Sequence, residues 1–203
     1  MKELIKASVR TASTVAMLPV LAVYAVVATC VGQCTAFTAF SQFLCRLPGK
    51  TGVYLRHAFY KFTAAKCERD VFVGYGTIFS DPQVSLEKST YIGNYCSIGN
   101  ITIEKDVLIA SHVSIMNGTG QHRIDRLDIP VREQVGKFPP ITIGQDSWIG
   151  EKATVAANVG KHCVVGAGAV VLSDLPDYAI AVGVPAKIIG DRRKQVTKPT
   201  NAE

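Results

Sequence analysis

The chain of 203 residues is 48% hydrophobic, 19% charged and 8% aromatic, with a formal net charge of +6. That balance excludes a disordered chain, and 17 Gly with 9 Pro exclude collagen-like and low-complexity readings. The cysteines (Cys30, Cys34, Cys45, Cys67, Cys96 and Cys163) form no CxxC pair, so neither a zinc site nor a disulfide framework is signalled, and the expected compartment is reducing.

Between Arg10 and Arg46 there is no charged residue. Thr11–Val31 approaches the roughly 20 apolar residues needed to cross a bilayer. Pro19 would kink such a helix, which membrane helices tolerate. Lys2, Lys6 and Arg10 precede the run, and Arg46, Lys50, Arg56, Lys61 and Lys66 follow it. With both flanks positive, a single span has no preferred orientation, whereas a return through Ala36–Leu47 leaves both flanks in the cytoplasm. After a Pro48–Gly49 turn, Thr51–Lys66 reads as an amphipathic helix. Val53, Leu55, Phe59 and Phe62 form its apolar side, with Arg56, His57 and Lys61 flanking it. A cleaved signal peptide is a weaker reading, because the run is too long and has no clear A-x-A site. Helices that simply pack on the domain or on neighbouring subunits are a further alternative. Residues 1–66 are therefore predicted to form a hydrophobic helical arm that associates with a membrane through residues 11–66.

From Cys67 a period of six appears. Aliphatic residues recur at Leu86, Ile92 and Ile98, then Ile103, Ile109 and Ile115, then Ile143, Ile149 and Val155, then Val159, Val165 and Val171. Gly or Ala often follows, as in Ile92-Gly93, Ile109-Ala110 and Ile149-Gly150, and small residues such as Cys96, Ala153 and Ala169 sit four places on. Period six fits neither an amphipathic helix nor an alternating strand. It fits a coil of three short strands per turn, each pointing one aliphatic side chain into a triangular core. The steps Ile98 to Ile103 and Val155 to Val159 are short, so the coil must tighten or bulge there. Val73 and Phe79 extend the pattern backward. No turn buries its own apolar face, so both ends need caps: the N-terminal helices at one, the segment after Leu175 at the other. The hexads stop over Asn117–Pro140 and resume in phase, and a break that long in a compact repeat marks a functional or disordered loop.

These residues match the hexapeptide pattern [LIV]-[GAED]-x-x-[STAV]-x. The chain from about Cys67 to Arg192 resembles the left-handed β-helix acyltransferases, above all the galactoside, maltose and polysaccharide O-acetyltransferase branch. The motifs that carry the resemblance are Pro140-Ile141-Thr142-Ile143-Gly144, Ser147-Trp148-Ile149-Gly150, Val165-Gly166-Ala167-Gly168 and Gly183-Val184-Pro185-Ala186-Lys187. The resemblance implies an all-β chain: a left-handed parallel β-helix over 67–185 with a catalytic loop at 117–140, preceded by the helical arm and followed by a basic tail at 186–203. It also implies a homotrimer that binds acetyl-CoA, as acyl donor, in grooves between neighbouring coils, with no metal.

His122, in Asn117-Gly118-Thr119-Gly120-Gln121-His122, matches the family's catalytic histidine. Imidazole, with a usual pKa near about 6.5, can take the proton of an attacking hydroxyl near neutral pH, so attack on the thioester needs no acyl-enzyme. A backbone N–H near the loop is the expected oxyanion donor. For the cofactor, Trp148 matches the tryptophan beside the pantetheine arm, Gly150, Ala167 and Gly168 match positions of close backbone approach, and Lys187 matches a base that meets the phosphates. The base expected three places on is Gly190, with Arg192 and Arg193 as substitutes. Leu172-Ser173 stands where the family often has Thr-Lys before its Asp, here Asp174. The asparagine-rich segment that orients free galactosides or maltose is missing, leaving Asn100 and Asn117 as weak substrate-binding candidates. His112 and His162 read as exposed-face histidines, and the four histidines are too scattered for a zinc carbonic anhydrase. No G-x-S-x-G elbow or Cys–His signature supports a covalent nucleophile.

The predicted function is O-acetylation, from acetyl-CoA, of a sugar hydroxyl in a surface glycan or its lipid-linked precursor, at the cytoplasmic face of the plasma or inner membrane. The alternatives are an N-acyltransferase on an amino-sugar nucleotide, a serine-type acetyltransferase, and a catalytically silent trimeric scaffold. Charge supports the division of the chain. Residues 1–66 hold 8 Lys/Arg and 1 Glu (+7), and residues 67–203 hold 14 Lys/Arg and 15 Asp/Glu (−1). A near-neutral coil argues against nucleic acid as a partner, and a basic arm beside an apolar run suits an anionic membrane.

Overall fold

The six-residue period folds as a three-sided coil of very short strands. The computed structural model describes residues 2–195, with side chains from residue 6 onward. Short strands stack into three sides of 4, 7 and 5 strands, all parallel except the last strand of the second side, Lys187–Asp191. The first side runs from Lys66–Cys67 through Ser85–Leu86 and Ile101–Ile103 to Ile141–Ile143. On the second, Phe72–Val73, Tyr91–Ile92, Leu108–Ile109, Trp148–Ile149, Val164–Val165 and Ala179–Val182 pair in order. The third runs from Ile78–Phe79 through Ser97–Ile98, Ser114–Ile115 and Thr154–Val155 to Val170–Val171.

In the two-residue strands that follow Lys66–Cys67 the first side chain faces out and the second faces the core. The repeat positions Leu86, Ile92, Ile98, Ile103, Ile109, Ile149, Val155 and Val165 are therefore all buried. The short steps are accommodated locally. After Ile98 the strand Ile101–Ile103 lengthens to three residues and buries two isoleucines. After Val155, Val159 makes only single bridges, to Ile143 below and Leu175 above, and keeps the inward column continuous. The Gly or Ala that follows each inward residue has a packing reason. A Cβ on Gly150 would lie 2.5 Å from the backbone N of Ala167, one turn up. At Gly168 the reason is conformational, since the corner requires φ +67.

Three helices close the lower end: α1 (Lys2–Val31), α2 (Gln33–Leu44) and α3 (Gly49–Thr63). The first turn has no turn beneath it, so its backbone groups need other partners. Helix α2 and the turn after it supply them. Ser41 Oγ accepts from Phe79 N at 2.9 Å, Thr38 Oγ1 donates to Ser80 O at 3.1 Å, and Cys45 O accepts from Gly76 N at 2.9 Å. Beneath them Phe37, Phe59, Tyr60 and Phe79 form one aromatic cluster.

Two expectations are corrected here. Arg56 does not flank an amphipathic helix: it is fully buried, and Phe62 is exposed instead. The Arg56 guanidinium donates from Nε to Val73 O at 3.0 Å, and from Nη1 to Leu44 O at 3.2 Å and Leu47 O at 2.7 Å. It thus caps the C-terminus of α2 and ties it to the coil. Gly52 makes room for this, because a Cβ there would meet Leu47 O at 2.0 Å and Arg56 Nη1 at 2.9 Å. The second correction is the boundary at 185. Lys187–Asp191 is a strand, paired antiparallel with Ala179–Val182 in the second side, so the sheet continues past the motif Gly183–Lys187. Residues 196–203 of the expected tail, and the side chain of Lys2, lie outside the described residues.

Candidate active site

The 24 residues of Asn117–Pro140 leave the coil after the strand Ser114–Ile115 and rejoin it at Ile141. The rows on either side pair directly, Ile101 with Ile141 and Ile103 with Ile143, so the coil continues as if uninterrupted. Asn117 fastens the exit. Its Nδ2 donates to Asn100 O at 2.7 Å and Pro139 O at 3.1 Å, and its Oδ1 accepts from Asn100 N at 3.0 Å. Asn158 and Asp174 repeat the contact in the turns above, accepting from Thr142 N at 2.9 Å and Asn158 N at 2.8 Å. The two asparagines singled out as sugar contacts thus meet each other, and Asn117 acts as a latch.

Asn117→Ala removes three hydrogen bonds, two part-buried and one exposed, the buried ones worth about 1 kcal/mol each. A fall of several degrees in melting temperature is expected, together with faster proteolytic nicking inside 117–140. An unchanged nicking rate would count against the latch.

Above the latch the loop narrows to a neck. His122 bridges Val135 in antiparallel fashion, and Lys137 N donates to Gly120 O at 2.8 Å. Gly136 is required there, since a Cβ would meet Gln121 O at 2.0 Å. Beyond the neck, buried Gln134 organises the tip. Its Nε2 donates to Arg126 O at 2.8 Å and Ile129 O at 3.2 Å, and its Oε1 accepts from Arg126 N at 3.3 Å. Nothing in the sequence marked Gln134, because its partners are main-chain atoms. The His122 ring projects from the neck, exposed, edge-on to Phe138 at 6.3 Å. An open groove of about 350 Å³ lies beside the neck, between Gly118–Gly120 and the coil rows at Asn158 and Ser173. His122 does not line it.

The residues expected to meet the cofactor divide into two groups. Trp148 lies outward and half exposed on the second side. Two residues on, Gly150 sits beneath Gly166 and Ala167, and Gly168 N donates to Glu151 O at 2.8 Å. Lys187 pairs with Val182, whose Cγ1 a Cβ on Gly166 would meet at 2.7 Å. These five positions occupy neighbouring rows. Arg192 is elsewhere, because the strand Lys187–Asp191 carries the chain back across the second side by roughly 3.4 Å per residue. At the far edge Arg192 Nη1 donates to Asp146 O at 2.8 Å and Asp146 Oδ2 at 3.0 Å. Arg192 is thus held by Asp146 at that edge, away from Lys187. Asp146 also bonds His162 Nδ1 at 2.9 Å, and His162 and then Arg192 hold its carboxyl below the usual carboxylate range. His112 stacks on Tyr95 and His162 on Tyr178, with ring centroids 5.1 and 5.0 Å apart.

Burial raises the thiol pKa of Cys45, Cys96 and Cys163, and pushes that of Cys67 up to about 12. None of these four offers a thiolate nucleophile near neutral pH. Among the described residues no three His, Cys, Asp or Glu side chains converge as metal ligands do.

Residues 140–173 match the family model described as the hexapeptide repeat of succinyl-transferase. Over 123 residues, 57% of this chain, the sequence is 36% identical to an Escherichia coli K12 protein named as a lipopolysaccharide biosynthesis O-acetyl transferase, WbbJ. The match spans 61% of WbbJ, and about half or less of the other curated relatives. The fold matches a maltose O-acetyltransferase from Clostridium difficile 630 with a TM-score of 0.66 at 19% identity, covering 78% of this chain and 87% of that one. It also matches a galactoside acetyltransferase solved in complex with coenzyme A, with a TM-score of 0.64 at 19% identity, covering 84% and 88%. The coil is thus the left-handed parallel β-helix of these enzymes. On its repeat and these relatives, the chain is similar to the hexapeptide-repeat acyltransferases and shares their fold.

Proposed function

We propose that the protein is an acetyl-CoA-dependent O-acetyltransferase acting on a sugar hydroxyl of a surface glycan or its lipid-linked precursor. The observation that carries this reading is the 24-residue loop, inserted in phase with the coil, that projects His122 from a pinched neck. His122 removes the proton of the acceptor hydroxyl as its oxygen attacks the thioester carbonyl. A tetrahedral oxyanion forms, the C–S bond breaks, and coenzyme A leaves as a thiolate that takes up the proton. Trp148, Gly150, Ala167, Gly168 and Lys187 are assigned to the donor, with small residues where the backbone must approach it and one cation for its phosphates. The coenzyme A held by the galactoside acetyltransferase of the same fold supports this donor.

Since His122 and the donor residues lie apart in one chain, a second copy completes the site. Two features support a homotrimer. The second side carries an outward stripe running from Phe72 through Tyr91 and Leu108 to Trp148 with no charged side chain, and the loop tip exposes Ile124 and Leu127. The relative named for lipopolysaccharide biosynthesis supports a glycan acceptor. The uncharged segment of the arm supports attachment to the cytoplasmic face of the membrane, where acetyl-CoA is available.

The test is radiolabelled acetyl-CoA with the detergent-solubilised full chain and membrane-extracted lipid-linked sugars. Label that appears in lipid-linked sugar and is released by mild alkali is expected, since esters hydrolyse there and amides do not. Alkali-stable label would favour the amino-sugar alternative. No transfer, with no acetyl-CoA-dependent rise in melting temperature, would leave the scaffold reading.

A further inference from the structure

We propose that α1 lies in the plane of a lipid bilayer surface as a platform and does not cross it; this rests on the membrane association proposed above. By length and composition Lys6–Val31 could cross a membrane. Its packing argues otherwise. Along one face, at seven-residue spacing, Arg10 is ion-paired with Asp70 of the first coil turn, Met17 is buried, and Tyr24 meets the rings of Phe40 and Phe59, each at 5.4 Å. Helix α2, beneath it, is itself hydrogen-bonded to the coil through Thr38 and Ser41. The layers run from coil to α2 and α3 to α1, so a spanning α1 would have to leave partners along most of its length.

Among the described residues the opposite face of α1 is open, and it is apolar. Val15, Leu18, Val23 and Val26 are 53–64% exposed. Residues 11–31 extend this uncharged face for about 32 Å. Phe43 of α2 is exposed beside Pro19 and Val23 of α1. An apolar groove of about 470 Å³ between Pro19, Val23, Phe40 and Phe43 is open to the end of an acyl chain. A helix this apolar on its outer face is not made for water. The exposed Arg46, Lys50 and Lys61 are cationic, and the only acidic residue in 1–66 is Glu3. That charge complements an anionic lipid surface, and it fits an in-plane helix better than an aqueous protein partner.

Depth decides the matter. In a Trp148→Phe background, Leu18→Trp and Val26→Trp each place one indole on the exposed face, eight residues or about 12 Å apart along the helix. The probe is vesicles of phosphatidylcholine and phosphatidylglycerol, with lipids brominated near the glycerol or near the methyl end. An in-plane helix gives equal quenching at both positions, strongest from the shallow bromines. One shallow and one deep position, as in a span, overturns the proposal. No quenching at either position, or a soluble dimer by light scattering that fails to float with vesicles, also overturns it. Val23→Glu should lower vesicle partitioning roughly tenfold at an unchanged melting temperature; unchanged partitioning would refute the lipid contact. Flotation of the wild-type chain tests attachment itself, and acetyl transfer to a detached, water-soluble glycan tests the enzyme without either.

Discussion

His122→Ala should lower kcat for acetyl transfer by about 10²–10⁴-fold, the usual contribution of a positioned general base. The substitution sits on an exposed ring whose only described side-chain neighbour is Phe138, so the melting temperature should stay within about 1 °C of wild type. Binding of acetyl-CoA, followed as a ligand-dependent rise in melting temperature, should also persist, because the residues assigned to the donor lie on other rows. Single-turnover assays with and without the substitution separate chemistry from binding. Transfer at the wild-type rate would remove His122 from the mechanism, whereas loss of both binding and transfer would mean that the loop neck has collapsed.

The largest expected effect on stability comes from the arm. Arg56→Met keeps much of the side-chain volume but removes donors to Val73 O, Leu44 O and Leu47 O, three carbonyls gathered around a fully buried group. Burial lowers the pKa of Arg56, yet a guanidinium stays charged at physiological pH, so the native state loses charge-assisted bonds as well as geometry. A loss of about 3–5 kcal/mol is expected, equivalent to roughly 10 °C for a chain of this size. Arg56→Lys should recover little, because one ammonium cannot reach carbonyls on α2, the following turn and the coil together. Thermal melts check the magnitude, and limited proteolysis between α3 and the first turn checks the location. A variant that melts at the wild-type temperature would show that packing alone holds the cap.

The coil was legible because its rule is local. An aliphatic residue every sixth position with a small one after it follows from a three-sided section and from backbone stacked closely on backbone, as at Gly150. Even the two short steps marked the places where the inward column departs from ordinary two-residue strands. The helical arm was legible as helices but not as an assembly. Arg56 was misread because amphipathic patterning assigns every charge to the outside, whereas this charge satisfies carbonyls that come together only in the folded structure. The separation of Arg192 from Lys187 was hidden for a related reason. Distance along the sequence from Lys187 stood in for distance in space, and a strand intervenes. The latch formed by Asn117 and the organising role of Gln134 lay beyond sequence reasoning, since their partners are main-chain atoms that any residue supplies.

Because the row before the loop pairs directly with the row after it, and Asn117 fastens exit to entry, the 24 residues between behave as a cassette. The coil supplies two fixed attachment points and is indifferent to what is strung between them. The length and composition of the cassette can then change at little expense to the rod that carries it. A chain built this way separates the part that must stay constant from the part that is free to diversify.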